Sequence, residues 1–151
     1  MLKTVNDLMT VEPVTVAPDT PLREILTLMH EEGYRQLPVL DEAGRLMGII
    51  TDRDLRLVMN SPLILHEKWQ DTTLLETATA ESCMSRNPIC VRPDTPAYRA
   101  ADMLCTYKFG ALPVLDDGRL VGIISVTDFL DQFIEDNKPK GEWIIQDATE
   151  M

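Results

Sequence analysis

The sequence predicts an α+β fold built from one β-α-β-β-α unit of ~50 residues, written twice. Three observations predict it: a constant spacing between matching residues, a switch from β-branched to helical patterning within each copy, and matching Pro, Gly and Asp punctuation. Met9 and Met84, Pro13 and Pro88, and Pro18 and Pro93 each stand 75 residues apart (84 − 9). Asp19-Thr20-Pro21 returns as Asp94-Thr95-Pro96, and Leu37-Pro38-Val39-Leu40-Asp41 returns as Leu112-Pro113-Val114-Leu115-Asp116. The spacing then falls to 74 (118 − 44): Gly44-Arg45-Leu46 matches Gly118-Arg119-Leu120, and Asp54 matches Asp128. The lost residue falls in an Asp/Gly-rich turn, where length changes are tolerated.

Each element follows in order. Val14-Thr15-Val16 reads as a short β-branched strand. Thr20 is a good N-cap, with Pro21 at the first helical position. Leu22, Ile25, Leu26 and Met29 form an apolar stripe, and Gly33 closes the helix. In the second copy the stripe is Ala97, Ala100, Ala101 and Leu104, with Gly110 at the end. A strand around Leu37 to Leu40, a turn at 41–44 and a strand from Arg45 to Ile50 make a hairpin. A second helix runs from near Thr51 towards Val58.

The copies occupy residues 5–58 and 80–133, with a linker over 59–79 and a polar tail over 134–151. A unit this small buries too little core to stand alone, so the copies are expected to pack together. In the linker, Leu63-Ile64-Leu65 and Trp69 are candidate anchors, and Thr72 to Glu76 reads as a helical turn. Trp143-Ile144-Ile145 gives the tail an apolar segment that would dock on an unspecified surface.

Composition narrows the function. With 151 residues and 44% hydrophobic content, the chain suits one compact domain or two small ones sharing a core. It lacks the ~20-residue apolar run of a membrane span and has no apolar signal-peptide core, so a cytoplasmic protein is expected. The formal charge of −11, from 25 acidic and 14 basic residues, argues against broad nucleic-acid binding. An anionic ligand would need locally placed cations and backbone N–H groups. Cys83, Cys90 and Cys105 are odd in number and lack CxxC spacing, which fits reduced thiols in or near a core. With only His30 and His66 beside them, no metal site is read. No Ser/His/Asp or Cys/His arrangement and no P-loop appear, so an enzyme is not expected.

The chemistry-bearing positions lie at the end of the last strand. Gly48-Ile49-Ile50-Thr51-Asp52-Arg53-Asp54 and Gly122-Ile123-Ile124-Ser125-Val126-Thr127-Asp128 both fit G-h-h-[S/T]-x-x-D, where h is apolar. The glycine lets another backbone or a ligand come close. The hydroxyl sits where strand becomes helix, beside free N–H groups that favour an anion. The Asp, one turn on, is an acceptor suited to paired ribose hydroxyls. The same spacing also fits a plain capping pair.

These residues carry a family resemblance. The Met-Thr-x-x-Pro-Val segment (Met9 to Val14), the Leu-Pro-Val-x-Asp strands and both G-h-h-[S/T]-x-x-D motifs resemble a pair of CBS domains, the arrangement called a Bateman module. The resemblance implies two repeats packed sheet to sheet about a pseudo-twofold axis, with two clefts between them. One cleft would use Ser125, Thr127 and Asp128 with Val14, Tyr34 and Arg35. The other would use Thr51, Arg53 and Asp54 with Ile89, Phe109 and Gly110, supplemented by Lys108. Asp54 and Asp128 would take ribose hydroxyls, Thr51 and Ser125 the ribose or phosphate, and Arg53 and Arg35 phosphates. Backbone near Val14 and Ile89 would read the adenine edge. The lesser alternative reads Arg35 and Arg53 as solvated surface cations, and Tyr34 and Phe109 as simple packing.

The implied function is regulatory: sensing AMP, ADP or ATP, with S-adenosylmethionine or NADH as lesser candidates, and signalling to a separate partner protein. The alternative is a dimeric CBS scaffold with degenerate or empty sites. The family implies a homodimer, for which Leu26, Met29, Leu55, Leu104, Phe129 and Phe133 are either interface or internal core.

Overall fold

A computed structural model describes residues 2–59 and 68–139, with the side chains of 68–72 left aside. The first half runs α1 (Val5–Leu8), β1 (Thr10–Val11), α2 (Leu22–His30), β2 (Gln36–Leu40), β3 (Leu46–Thr51) and α3 (Asp52–Met59). Helix α4 (Lys68–Thr77) connects the halves. The second half repeats the order as α5 (Ala80–Cys83), β4 (Ser85–Arg86), α6 (Ala97–Tyr107), β5 (Ala111–Asp116), β6 (Arg119–Ser125) and α7 (Val126–Asn137). The strands form two antiparallel three-stranded sheets, β1-β6-β5 and β2-β3-β4.

Each sheet therefore contains a strand from the other half. The exchange extends to the short helices. Val5, fully buried, joins Val91, Ala100, Leu104 and Leu112 in the second core. Its N–H donates to the Thr95 carbonyl at 2.8 Å. Ala80 and Cys83 enter the first core beside Leu22, Ile25, Leu37 and Ile50, and the Ala80 N–H donates to the Thr20 carbonyl at 2.9 Å. Neither repeat closes its own core, so the two fold as one body.

The strand expected at Val14–Val16 shrinks to one parallel bridge, Val16 to Val39, with Val91 to Val114 its counterpart. Pro13 and Pro18 flank it, and prolines cannot donate to a ladder. The strands β1 and β4 were not anticipated, because two-residue strands carry no periodicity. Pro21, not Thr20, is the N-cap of α2, and the Thr20 hydroxyl instead accepts from the Ala17 N–H at 3.0 Å. Gly33 is left-handed (φ 79), as expected after a helix. In the second copy that position is Lys108 (φ 56), the C-cap of α6, and not Gly110. The hairpin that lost a residue turns through Asp117 (φ 48) and Gly118 (φ 77), the two left-handed positions of a tight two-residue turn.

The linker is more than a tether. Helix α4 packs Leu74 and Leu75 on the first core, and Glu76 pairs with Arg23. Leu63-Ile64-Leu65 and Trp143-Ile144-Ile145 lie outside the described residues, as does the side chain of Trp69. The two sheets meet through Ile49, Ala111 and Ile123, which form a buried cluster.

Of the residues read as interface or core, Met29, Leu55 and Leu104 are core, and Leu26 and Phe129 pack against it. Phe133 is 66% exposed, and α7 adds Leu130 and Ile134, 57% and 52% exposed. Cys83 is buried and Cys90 half-buried, but Cys105 is exposed on α6, which corrects its expected place near the core. Among the described residues no helix is long and apolar enough to cross a membrane.

Candidate functional site

Strand β3 delivers Thr51 to the start of α3, and Asp54 follows one turn later. Asp54 Oδ2 accepts from the Thr51 N–H at 2.8 Å and from its hydroxyl at 3.0 Å. Thr51 Oγ1 accepts from the Asp54 N–H at 3.2 Å. Ser125 and Asp128 repeat the arrangement at 2.8, 3.1 and 3.3 Å. Both motifs are thus reciprocal helix caps.

Each carboxylate also has a second oxygen, and both use it across the repeat boundary. Asp54 Oδ1 accepts from the Ser85 hydroxyl at 3.2 Å, and Asp128 Oδ1 accepts from the Thr10 hydroxyl at 3.1 Å. Sequence reasoning missed Thr10 and Ser85. The signal was present in the repeated Met-hydroxyl pairs, Met9-Thr10 and Met84-Ser85. Counting two lone pairs per oxygen, Oδ2 is filled and Oδ1 keeps one open acceptor position.

The motif glycines serve the exchanged strands. A Cβ on Gly48 would lie 2.6 Å from the Ser85 carbonyl, and one on Gly122 would lie 2.9 Å from that of Thr10. Of the two close approaches a glycine permits here, backbone or ligand, the structure has backbone.

Thr51, Arg53, Asp54, Ile89, Phe109 and Gly110 line one cavity of about 550 Å³, within the usual range of small-molecule sites. The first three come from one repeat and the last three from the other. Lys108, Arg86, Asn87 and Leu57 also border it. Ile89 and Phe109 are 41% and 39% exposed and offer apolar contact surface. One side of Phe109 is occupied by Tyr107, whose ring stacks on it at 5.5 Å. Arg86 pairs with Glu81 and Asp52 with Arg56. Among the described residues Arg53 and Lys108 have no ion-pair partner, so two free cations face this cavity in a chain of net charge −11.

The residues named for the other cleft are less gathered. Ser125, Asp128 and Thr10 meet through the bonds above, with Thr127 exposed beside them. Val14 and Tyr34 pack against the first core. Tyr34 and Arg35 line a different cavity, of about 710 Å³, between α2 and α3.

Two copies of the CBS domain model match the chain, over residues 5–61 and 80–135. The chain belongs to the CBS domain family. A CBS domain-containing protein of Dictyostelium discoideum is 36% identical over 136 residues, 89% of this chain and 94% of that one. Among solved CBS pairs, CBSX2 in complex with AMP is similar at 30% identity and a TM-score of 0.74, covering 90% of this chain and 99% of that one. The CBS pair of protein MJ0100, in complex with 5′-methylthioadenosine and S-adenosylmethionine, is similar at 26% identity and a TM-score of 0.74, covering 91% of this chain and 100% of that one. The chain is a CBS pair with the family's fold.

Proposed function

We propose that this CBS pair senses an adenine nucleotide, AMP, ADP or ATP, between its repeats and signals its state to a separate partner protein. The observation that carries the reading is the cavity that joins Thr51, Arg53 and Asp54 to Ile89, Phe109 and Gly110. Asp54 accepts a ribose hydroxyl at its open Oδ1 position. Arg53 and Lys108 face the phosphate, and Ile89 and Phe109 flank the base. The CBS relatives in complex with AMP, 5′-methylthioadenosine and S-adenosylmethionine support an adenosine ligand. The site offers acceptors, cations and apolar walls, and its Thr51 and Ser85 hydroxyls are engaged in capping and strand contacts with Asp54, an arrangement that suits binding. It works as a homodimer, for which the apolar face of Leu130, Phe133 and Ile134 offers surface.

One observation favours the scaffold alternative: three of the four acceptor positions of the Asp54 carboxylate are already taken inside the protein. Thermal shift and calorimetry with AMP, ADP, ATP, S-adenosylmethionine and NADH separate the two. A ligand at 100 times its Kd adds about 2.7 kcal/mol of stability. Silence with all five would leave the scaffold reading in possession.

A further inference from the structure

We propose that the two clefts are tuned to different ligand classes. The Thr51–Asp54 cleft takes an adenosine ligand that carries phosphate, and the Ser125–Asp128 cleft takes one that carries none. The inference rests on the adenosine-sensing reading and assigns the ligand class of each cleft.

The backbone frame is the same on both sides. Gly48 and Ile49 pair with Arg86 and Ser85, as Gly122 and Ile123 pair with Val11 and Thr10. The Asp52 N–H donates to the Arg35 carbonyl, and the Val126 N–H to the Gly110 carbonyl, both at 3.1 Å. Both aspartates bond a hydroxyl of the exchanged strand. Positions around the two clefts therefore correspond one to one, and their side chains can be compared directly.

The charges do not correspond. Arg53, Arg86 and Lys108 border the first cleft, against Asp52 and Asp54. At the equivalent positions of the second stand Thr127, Val11 and Gly33, so all three cations are gone. Asn87 becomes Glu12, and both residues hold the same backbone (φ 49), so the carboxylate replaces the amide on an unchanged frame. Leu57 becomes Asp131. The second set has one cation, Arg35 in place of Gly110, which lines the cavity between α2 and α3, against Glu12, Asp128 and Asp131.

The backbone at Lys108 adds to this. It holds a left-handed conformation (φ 56), which residues with a Cβ disfavour, where the first copy has Gly33. A lysine is kept in a position that suits glycine, and it borders the phosphate-type cleft without an ion-pair partner among the described residues. A phosphate dianion meets net positive charge in one cleft and net negative charge in the other. Each charge beside a phosphate changes affinity by on the order of fivefold to tenfold. A neutral or cationic adenosine derivative escapes the penalty of the second cleft.

The test is calorimetry of the full chain with AMP and with adenosine. In Asp128→Ala, which leaves the Thr51–Asp54 cleft, AMP should bind at least tenfold more tightly than adenosine, and the margin should shrink with salt. In Asp54→Ala, which leaves the other cleft, the order should reverse. In that background, Glu12→Asn with Thr127→Arg changes two charges and should raise AMP affinity about 25- to 100-fold while leaving adenosine unchanged. If loss of a cap unfolds either variant, Arg53→Thr with Lys108→Gly keeps both caps and should cost AMP alone at least tenfold. The same AMP-to-adenosine preference in both clefts, or an unchanged AMP affinity in the charge variants, overturns the inference while sparing the sensing reading. Binding of neither compound to the wild type overturns both.

Discussion

The Ser85 hydroxyl donates to Asp54 Oδ1 at 3.2 Å across the boundary between repeats, and Thr10 does the same to Asp128 at 3.1 Å. One carboxylate thus caps its own helix and holds the exchanged strand of the other repeat. On the proposed reading, a ribose hydroxyl at Asp54 would share Oδ1 with Ser85.

Ser85→Ala removes that competitor and one exposed hydrogen bond. We expect a stability loss of about 0.5–1 kcal/mol, the low end for a hydrogen bond, with nucleotide affinity equal to or higher than wild type. Asp54→Ala loses the cap as well and should cost about 1–2 kcal/mol. Urea unfolding of both variants and the double variant gives the coupling between the two residues. A coupling of zero would mean that the bond contributes nothing in solution.

Gly48→Ala forces a Cβ to 2.6 Å from the Ser85 carbonyl and 2.7 Å from Met84 Sδ. The sulfur can yield, but the backbone carbonyl cannot without moving β4. The expected loss is about 1–3 kcal/mol, read as a lower urea midpoint. Gly44→Ala, which meets nothing within 4 Å but sits at φ 78, is the control for backbone strain alone.

Phe133→Glu tests the proposed dimer face. The side chain is 66% exposed, so the monomer fold should tolerate the change within about 0.5 kcal/mol. Light scattering should show the mass falling from dimer to monomer at micromolar concentration. An unchanged mass would place the interface elsewhere.

The thiols should react in the order Cys105, Cys90, Cys83, following their exposure. Burial also pushes the Cys90 thiol above its ordinary value of 9.0, which suppresses the thiolate, and its Sγ donates to the Pro88 carbonyl at 3.2 Å. Stopped alkylation at pH 8 followed by mass spectrometry reads the order. Because this pKa is raised in the folded state, the associated stability is present below about 9 and is lost as pH rises through the folded value.

Much of this was legible in the chain. The register of Leu37-Pro38-Val39 with Leu112-Pro113-Val114, the hairpins and the strand-to-helix motifs all follow from local patterns that a repeat displays twice. The exchange of α1 and α5 was not legible. Four-residue helices and two-residue strands are too short to carry a period, and nothing local says which core will bury Val5 or Ala80. The helical turn read at Thr72 to Glu76 lies within α4, but the helix's full length was hard to foresee: its apolar residues follow no helical face, and packing on the first core stabilises it.

The sequence by itself determined that a unit is repeated, that each copy ends in a capped helix bearing Asp54 or Asp128, and that the copies differ in charge at Arg53 and Thr127. Only the tertiary structure decided that Ser85 and Thr10 reach those carboxylates, that Gly48 and Gly122 yield to a neighbouring strand, and that Tyr34 and Arg35 line a cavity apart from Ser125 and Asp128. The physical reason is range. Caps and hairpins are settled within a few residues, whereas a site shared by two repeats exists only after each has closed the core of the other.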